Sequence, residues 1–223
     1  MPRLLCLVVS AVLTIALAPP AAAQPDGVMT VTLVRHGESE ANVAGIVATA
    51  VPGPPLTALG EQQAKAAGVL HSDPVPDAVF ASPLLRTRQT AQYLADEVGE
   101  PVQIQDGLRE VEGGEFEGLP VDRAVGYLDA VQAWTRGDRT ARIPGSIDGD
   151  ELDERFDAAL GAIRSGGYTK PVVYSHGGAI VAWTLMNVHN PPVEITGLDN
   201  TGYVVVRGNP TTGWTLVDWV DRP

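Results

Sequence analysis

Two short apolar runs, Thr30-Val31-Thr32-Leu33-Val34 and Pro171-Val172-Val173-Tyr174, each stop at a histidine beside glycine, in Arg35-His36-Gly37 and Ser175-His176-Gly177-Gly178. Runs of this length and composition predict buried strands, and the abrupt change of residue type places a loop at each carboxyl end. Segments with helical spacing lie between them. Thr57 caps a predicted helix over 57–70, with Leu59, Ala66 and Leu70 on one periodic stripe. Residues 77–81 predict a second strand, and Ser82-Pro83 opens a predicted helix to about 97, since a proline in a first turn gives up an N–H that would be unpaired anyway. Val102-Gln103-Ile104 predicts a third strand running into Leu108-Arg109-Glu110. Helices are expected over 121–134, 150–164 and 179–187, with a polar, Gly- and Pro-containing loop over 136–148. The runs 203–206 and 214–217, joined across 209–213, predict a terminal β-hairpin. Strands alternating with helices specify an α/β fold, a three-layer α/β/α sandwich on a mostly parallel sheet, because parallel neighbours need helical crossovers. Strand order is not legible at this level.

The first residues have the pattern of a targeting segment. Arg3 gives a positive start, residues 4–18 are apolar, and Ala21-Ala22-Ala23 offers a cleavage site before Gln24. The expected organisation is a signal peptide over 1–23 and one domain over 24–223, with the protein secreted or held in the cell envelope. The apolar run falls short of the roughly 20 residues a spanning helix needs, so no stable membrane insertion is expected; an uncleaved N-terminal anchor is the alternative. The single cysteine, Cys6, lies inside this segment. A mature chain then has no thiol, which excludes thiolate metal sites and cysteine nucleophiles. The remaining length suits a single core. A formal net charge of −12 repels nucleic acid at long range, so no nucleic-acid partner is expected and any phosphate must be captured by a local cluster of positive groups.

Such a cluster is available. Arg35, His36, Arg86, Glu110 and His176 all fall at or just beyond predicted strand ends, where open α/β sheets bind ligands. Taken singly, each is an ordinary structural or surface residue. Together, the arginines offer planar donor forks matched to phosphate oxygens. A neutral imidazole can attack phosphorus and give a covalent intermediate that water hydrolyses. A second, protonated histidine can stabilise the charge on the group in transfer.

The same islands resemble the histidine phosphatase superfamily, the phosphoglycerate-mutase-like branch, over nearly the whole mature length. Leu33-Val34-Arg35-His36-Gly37-Glu38-Ser39-Glu40-Ala41-Asn42 is similar to that family's signature, and Pro55-Leu56-Thr57 with Gly60 to its next block. Ser82-Pro83-Leu84-Leu85-Arg86-Thr87, Leu108-Arg109-Glu110-Val111-Glu112-Gly113 and Tyr174-Ser175-His176-Gly177-Gly178 resemble the later ones. Gly113 departs from the pattern, where an aromatic residue is frequent. The resemblance implies His36 as nucleophile, Glu110 as proton donor to the leaving alcohol, and His176 as the second catalytic histidine. It implies Arg35 and Arg86 as phosphate ligands, with Asn42 and Ser39 as further contacts. It implies no metal and no cofactor, and a small phosphorylated substrate. Glu112, Glu115 and Glu117 are expected to be structural or solvated. Arg88, His71 and His189 are expected at the surface, and Trp134 and Trp183 in packing or pocket walls.

The expected activity is that of an exported phosphomonoesterase. The alternatives are a phosphoglycerate-mutase-type phosphoryl transferase and an inactive binding module of the same fold. Against the first, export separates the protein from glycolytic intermediates. In addition, Gly118-Leu119-Pro120-Val121 carries a valine near where the resemblance implies a substrate-binding lysine in mutases. Against the second, none of the core histidines and arginines is missing. Substrate choice is assigned to 121–150, whose Arg123, Arg136, Arg139 and Arg142 either meet a second anionic group or simply solvate a loop. Oligomeric state is not legible.

Overall fold

In the computed structural model, residues 27–192 and 197–223 are described. The expected signal peptide and the expected start at Gln24 lie outside them. Six strands form one sheet in the order β3-β2-β4-β1-β5-β6. The strands are β1 (Met29–Arg35), β2 (Val79–Ala81), β3 (Val102–Ile104), β4 (Val172–Ser175), β5 (Tyr203–Asn209) and β6 (Gly213–Val220). Pairing is parallel across β3, β2, β4 and β1, then antiparallel through β5 and the terminal hairpin. The sheet is mostly parallel, as anticipated from the sequence, and mixed only through its antiparallel edge. Its antiparallel edge is the predicted hairpin, which needs no crossover.

Helices are α1 (Glu40–Ala44), α2 (Ala58–Leu70), α3 (Leu85–Val98), α4 (Val125–Thr135), α5 (Gly149–Ser165) and α6 (Gly177–Asn187). Strand alternation divides the core between the two faces of the sheet. Val31, Leu33, Phe80 and Val173 share a cluster with Phe156, Leu160 and Ile163 of α5 and Ile180 and Trp183 of α6. Val34, Val79, Val172 and Tyr174 pack with Ala91 and Leu94 of α3 on the opposite face. Trp183 stacks on Phe156 at 5.0 Å and meets Trp214 edge-on at 5.5 Å. Trp134 and Trp183 are thus core residues.

The helix starts follow from local chemistry. Thr57 accepts the N–H of Gly60 at 3.0 Å, and Asp148 and Glu151 form a reciprocal capping box on α5. Three expected boundaries differ. Ser82-Pro83 does not begin a helix; α3 begins at Leu85, because the Ser82 hydroxyl is engaged by the Leu84 N–H and His176. The single helix expected over 121–134 is a 3-10 turn (Val121–Arg123) followed by α4. Helix α6 starts directly after His176. The short α1 has no counterpart in the sequence reading.

Helix α2 is set against the loop after β1 by two missing side chains. A Cβ on Gly60 would lie 1.9 Å from the Glu38 carbonyl oxygen, and one on Gly37 would lie 2.5 Å from the Gly60 carbonyl oxygen. Only two facing glycines permit this approach. It fixes the start of α2 against the segment that follows His36.

Candidate active site

The carboxyl ends of β1 and β4 are adjacent, with Arg35 paired to Ser175 in register. His36 and His176 therefore come together from distant parts of the chain, ring centroids 5.2 Å apart and roughly edge to face. Arg35, His36, Ser39, Asn42, Arg86 and Glu110 line one cavity of about 420 Å³. His176 lies against His36, fully buried, and is not on the cavity wall.

His36 is held in one orientation. Its backbone N–H donates to Ser175 O at 3.2 Å, and its carbonyl accepts from Asn200 Nδ2 at 3.0 Å and the Thr201 N–H at 3.3 Å. The ring Nδ1 is 2.7 Å from the Gly37 carbonyl. A carbonyl only accepts, so Nδ1 carries the proton and Nε2 keeps its lone pair. Arg86 Nε donates to that Nε2 at 2.9 Å. Burial first, then the positive charges of Arg86 and Arg35, push the imidazole well below its ordinary range. His36 is consequently neutral at neutral pH, with one nitrogen available as a nucleophile.

His176 Nε2 pairs with Ser82 Oγ at 2.8 Å, and the same oxygen accepts the Leu84 N–H at 3.2 Å. Nε2 is the one acceptor within reach of the Ser82 hydroxyl hydrogen among the described residues, and a hydroxyl that donates there leaves the hydrogen of His176 on Nδ1. Burial, followed by Arg86 and His36, pushes His176 well below its ordinary range as well. The protonated second histidine expected from sequence is therefore neutral in this environment. It acts as a hydrogen-bond donor, and an approaching dianion would supply the negative charge that raises it.

Three polar atoms around His36 are buried with no partner recorded among the described residues: Arg35 Nε, Arg86 Nη1 and His176 Nδ1. A buried donor left unpaired costs about 1–3 kcal/mol, more when charged. Burial lowers both guanidinium groups from their usual value, with Glu110 the leading charge acting the other way. Arg35 spends one donor on Leu198 O at 2.5 Å. Arg86 is fixed from behind, since Thr90 donates to its carbonyl at 2.7 Å and also receives the Gly37 N–H at 3.1 Å. These donors sit beside a neutral nucleophile, and an oxyanion would satisfy them.

Glu110 reaches the cavity over the amino end of α6. Its Oε1 accepts from the Ala179 N–H at 2.8 Å and Val111 N–H at 2.9 Å, and its Oε2 from the Gly178 N–H at 3.3 Å. A Cβ on Gly178 would lie 2.8 Å from Oε1, so glycine there makes room for the carboxylate. Arg155 of α5 holds the preceding backbone, donating to the carbonyls of Gly107, Arg109 and Glu110 at 2.7–2.9 Å. Arg155, Ser82, Thr90 and Asn200 are positioning residues that sequence reading missed. Ser82 stands in the block around Arg86, but the contacts that give all four their roles, to His176, Gly37, His36 and the 107–110 backbone, lie dozens of residues away.

Ser39 and Asn42 cap α1 reciprocally. Asn42 Oδ1 accepts from the Ser39 N–H and hydroxyl, each at 3.0 Å. The Ser39 hydroxyl is thereby committed to the cap. Asn42 presents its Oδ1 to these contacts, which leaves Nδ2 as its donor toward a ligand.

The rival acids lie elsewhere. Glu112 pairs with Arg109 and Arg155 at 3.1 and 3.2 Å. Glu117 takes the Thr49 hydroxyl at 2.6 Å and nearby backbone N–H groups, and Glu115 and Arg88 are exposed. His189 is exposed. His71, expected at the surface, instead packs edge-on against Tyr203 at 4.9 Å, and burial pushes it down to about 4. Among the described residues, no cluster of His, Cys, Asp or Glu is placed to hold a metal ion, and no helix is long and apolar enough to cross a membrane.

A sequence model of the histidine phosphatase superfamily (branch 1) matches residues 31–222. The Mycobacterium tuberculosis PE-PGRS family protein PE_PGRS11 is 41% identical over 87% of this chain, which spans 37% of that relative's length. A probable phosphoglycerate mutase, GpmB, of Enterobacter sp. (strain 638) is 34% identical over 68% of this chain and 71% of its own. Among solved structures, mycobacterial glucosyl-3-phosphoglycerate phosphatase shares the fold with a TM-score of 0.72, at 22% identity over 87% of this chain and all of that one. A putative α-ribazole-5′-phosphate phosphatase of Escherichia coli gives 0.67, at 25% identity over 87% of this chain and 96% of its own. The chain belongs to the histidine phosphatase superfamily, branch 1.

Proposed function

We propose that the protein is a phosphomonoesterase working through a phosphohistidine. The observation that carries this reading is the buried set of unpaired donors, Arg35 Nε, Arg86 Nη1 and His176 Nδ1, grouped around a neutral His36 whose Nε2 keeps its lone pair. The donors take the non-bridging oxygens, and Arg86 moves its hydrogen bond from Nε2 to the phosphate as Nε2 attacks phosphorus. The N–P bond forms, the P–O bond to the alcohol breaks, and Glu110 gives the leaving oxygen its proton. Water then attacks phosphorus, Glu110 takes a proton from it, and inorganic phosphate departs with His36 restored. The reading also includes export, with Ala21-Ala22-Ala23 cleaved before Gln24.

A mutase would need to hold a phosphorylated acid and return the phosphoryl group to it. Val121 lies on the cavity wall, and its side chain cannot pair with a carboxylate. Brief incubation with labelled substrate, quenched without acid, should trap an acid-labile, base-stable label on the protein. His36→Ala should abolish both label and turnover. Label that persists in this variant would move the nucleophile elsewhere.

A further inference from the structure

The cavity has a charged floor and an apolar wall, and the wall selects the alcohol. We propose that the site takes phosphomonoesters of uncharged, apolar alcohols, alkyl or arylalkyl, and discriminates against alcohols bearing a second acidic group or many hydroxyls. The inference rests on the phosphomonoesterase reading above. Ile46, Val47, Val121, Leu128, Val181 and Leu198 supply the wall. Val121 and Leu128 remain 40% and 41% exposed, so apolar surface faces water where the alcohol portion of a substrate would lie.

Among the described residues, the cations on this wall are Arg35 and Arg86. A phosphate dianion occupies both, which leaves neither for a second anion. The arginines offered by sequence for a second anion are placed elsewhere. Arg139 bonds Asp153 at 2.7 Å and Met186 O at 2.5 Å, and Arg142 bonds Asp148 and Glu151. Arg136 bonds Gln132 at 3.1 Å, and Arg123 is not on the wall. Residues 193–196, next in sequence to the wall residues Gly197 and Leu198, are Val-Glu-Ile-Thr and bring no positive charge.

Asn42 Nδ2 is left to the phosphate, and the hydroxyls on the wall are spent. The Tyr127 hydroxyl donates to Val111 O at 3.1 Å, and the Thr49 hydroxyl to Glu117 at 2.6 Å. A carboxylate would be stripped of water with no counter-charge, and sugar hydroxyls with few partners. Methylene groups would instead cover Val121 and Leu128.

The test is kcat/KM of the purified protein on ethyl, butyl and hexyl phosphate, 3-phosphoglycerate and p-nitrophenyl phosphate. The three alkanols are leaving groups of nearly equal basicity, so a trend among them reports the wall and not the chemistry. The expected rise is roughly tenfold or more from ethyl to hexyl, with 3-phosphoglycerate below ethyl phosphate. Leu128→Lys, at a part-exposed site that tolerates a long side chain, should lower the hexyl-to-ethyl ratio and raise 3-phosphoglycerate. A flat or falling alkyl series, or a preference for 3-phosphoglycerate in the unmodified protein, overturns the inference while leaving the phosphatase reading intact. Failure to hydrolyse any of the esters, p-nitrophenyl phosphate included, overturns that reading and the inference with it.

Discussion

Two cavities of nearly the same size lie toward opposite ends of β1. The first, about 420 Å³, opens at Arg35 and His36; the second, about 440 Å³, lies beside Thr30 and Thr32. Each has a buried histidine nitrogen without a recorded partner near it, and the second cavity also carries Lys170 and Asp73. They differ in what surrounds that nitrogen. Around His36 the unpaired atoms belong to two permanently charged guanidinium groups and a second imidazole. His71 has an aromatic neighbour, Tyr203, and no other buried donor among the second cavity's described wall residues is without a partner. Volume and a histidine do not mark a reactive centre. Charged donors beside a neutral nucleophile that the fold leaves unsatisfied do, because their cost is recovered only when an anion arrives.

The contrast can be broken most sharply at Arg86. Arg86→Met should lower kcat/KM on the order of 10²- to 10³-fold, the usual loss for one charge-stabilising donor. Its melting temperature in phosphate-free buffer should fall little, because a desolvated guanidinium whose Nη1 is unpaired is replaced by an apolar side chain of similar reach. A large drop in stability would mean that Arg86 holds the fold together.

Glu110→Gln should slow an alkyl phosphate by about 10²-fold or more, as expected when a positioned acid is lost. It should slow p-nitrophenyl phosphate much less, since a nitrophenolate leaves without a proton. Equal losses, with no burst of phenol, would make Glu110 a residue that only braces the start of α6.

Inorganic phosphate at about 100 times its Kd should stabilise the protein by about 2.7 kcal/mol, read as a rise in melting temperature. Arg86→Met should remove the effect and His71→Phe should keep it. The reverse pattern would move the anion site to the second cavity.

The smallest effect belongs to His71 itself. Its value in the fold, about 4, lies below the free value of 6.5, so the unfolded chain binds a proton first. The stability this contributes is fully present above about pH 6.5 and is lost as pH falls toward 4. His71→Phe should leave kcat/KM unchanged and lessen the acid sensitivity by about 1–2 kcal/mol at pH 5, measured by urea melts at pH 7 and pH 5. His36 and His176 are depressed in both proteins and cancel in the comparison. A variant as acid-sensitive as the parent would mean that His71 is charged, or solvated, in the fold.

What the sequence made legible, and what it did not, follows from how local each signal is. Arg35-His36-Gly37 and Ser175-His176-Gly177 were readable because each sits at the end of an apolar run, and a strand's end needs only a few residues to announce itself. The start of α3 was misread because Ser-Pro is a strong local signal for a helix start, and His176, nearly a hundred residues away, competes for the serine. Helix α1 has five residues, too few to show a period, and the capping role of Ser39 and Asn42, which also line the cavity, went unread. The inward position of His71 depends on Tyr203, which reaches it only through the order of the sheet. The apolar wall was illegible for the same reason, since Ile46, Leu128 and Val181 come from three separate segments.

The facing glycines at 37 and 60 have a consequence for how such a protein diverges. No side chain fits at Gly60 without displacing the Glu38 backbone, so a single substitution there disrupts the nucleophile's loop, and a compensating change would have to arise in the same step. Val121 and Leu128, half in water, carry no such constraint. Over many generations the floor should stand still as a unit while the wall drifts. New substrates would then be acquired by exchanging a few side chains on α4 and the turn before it, with the chemistry inherited intact.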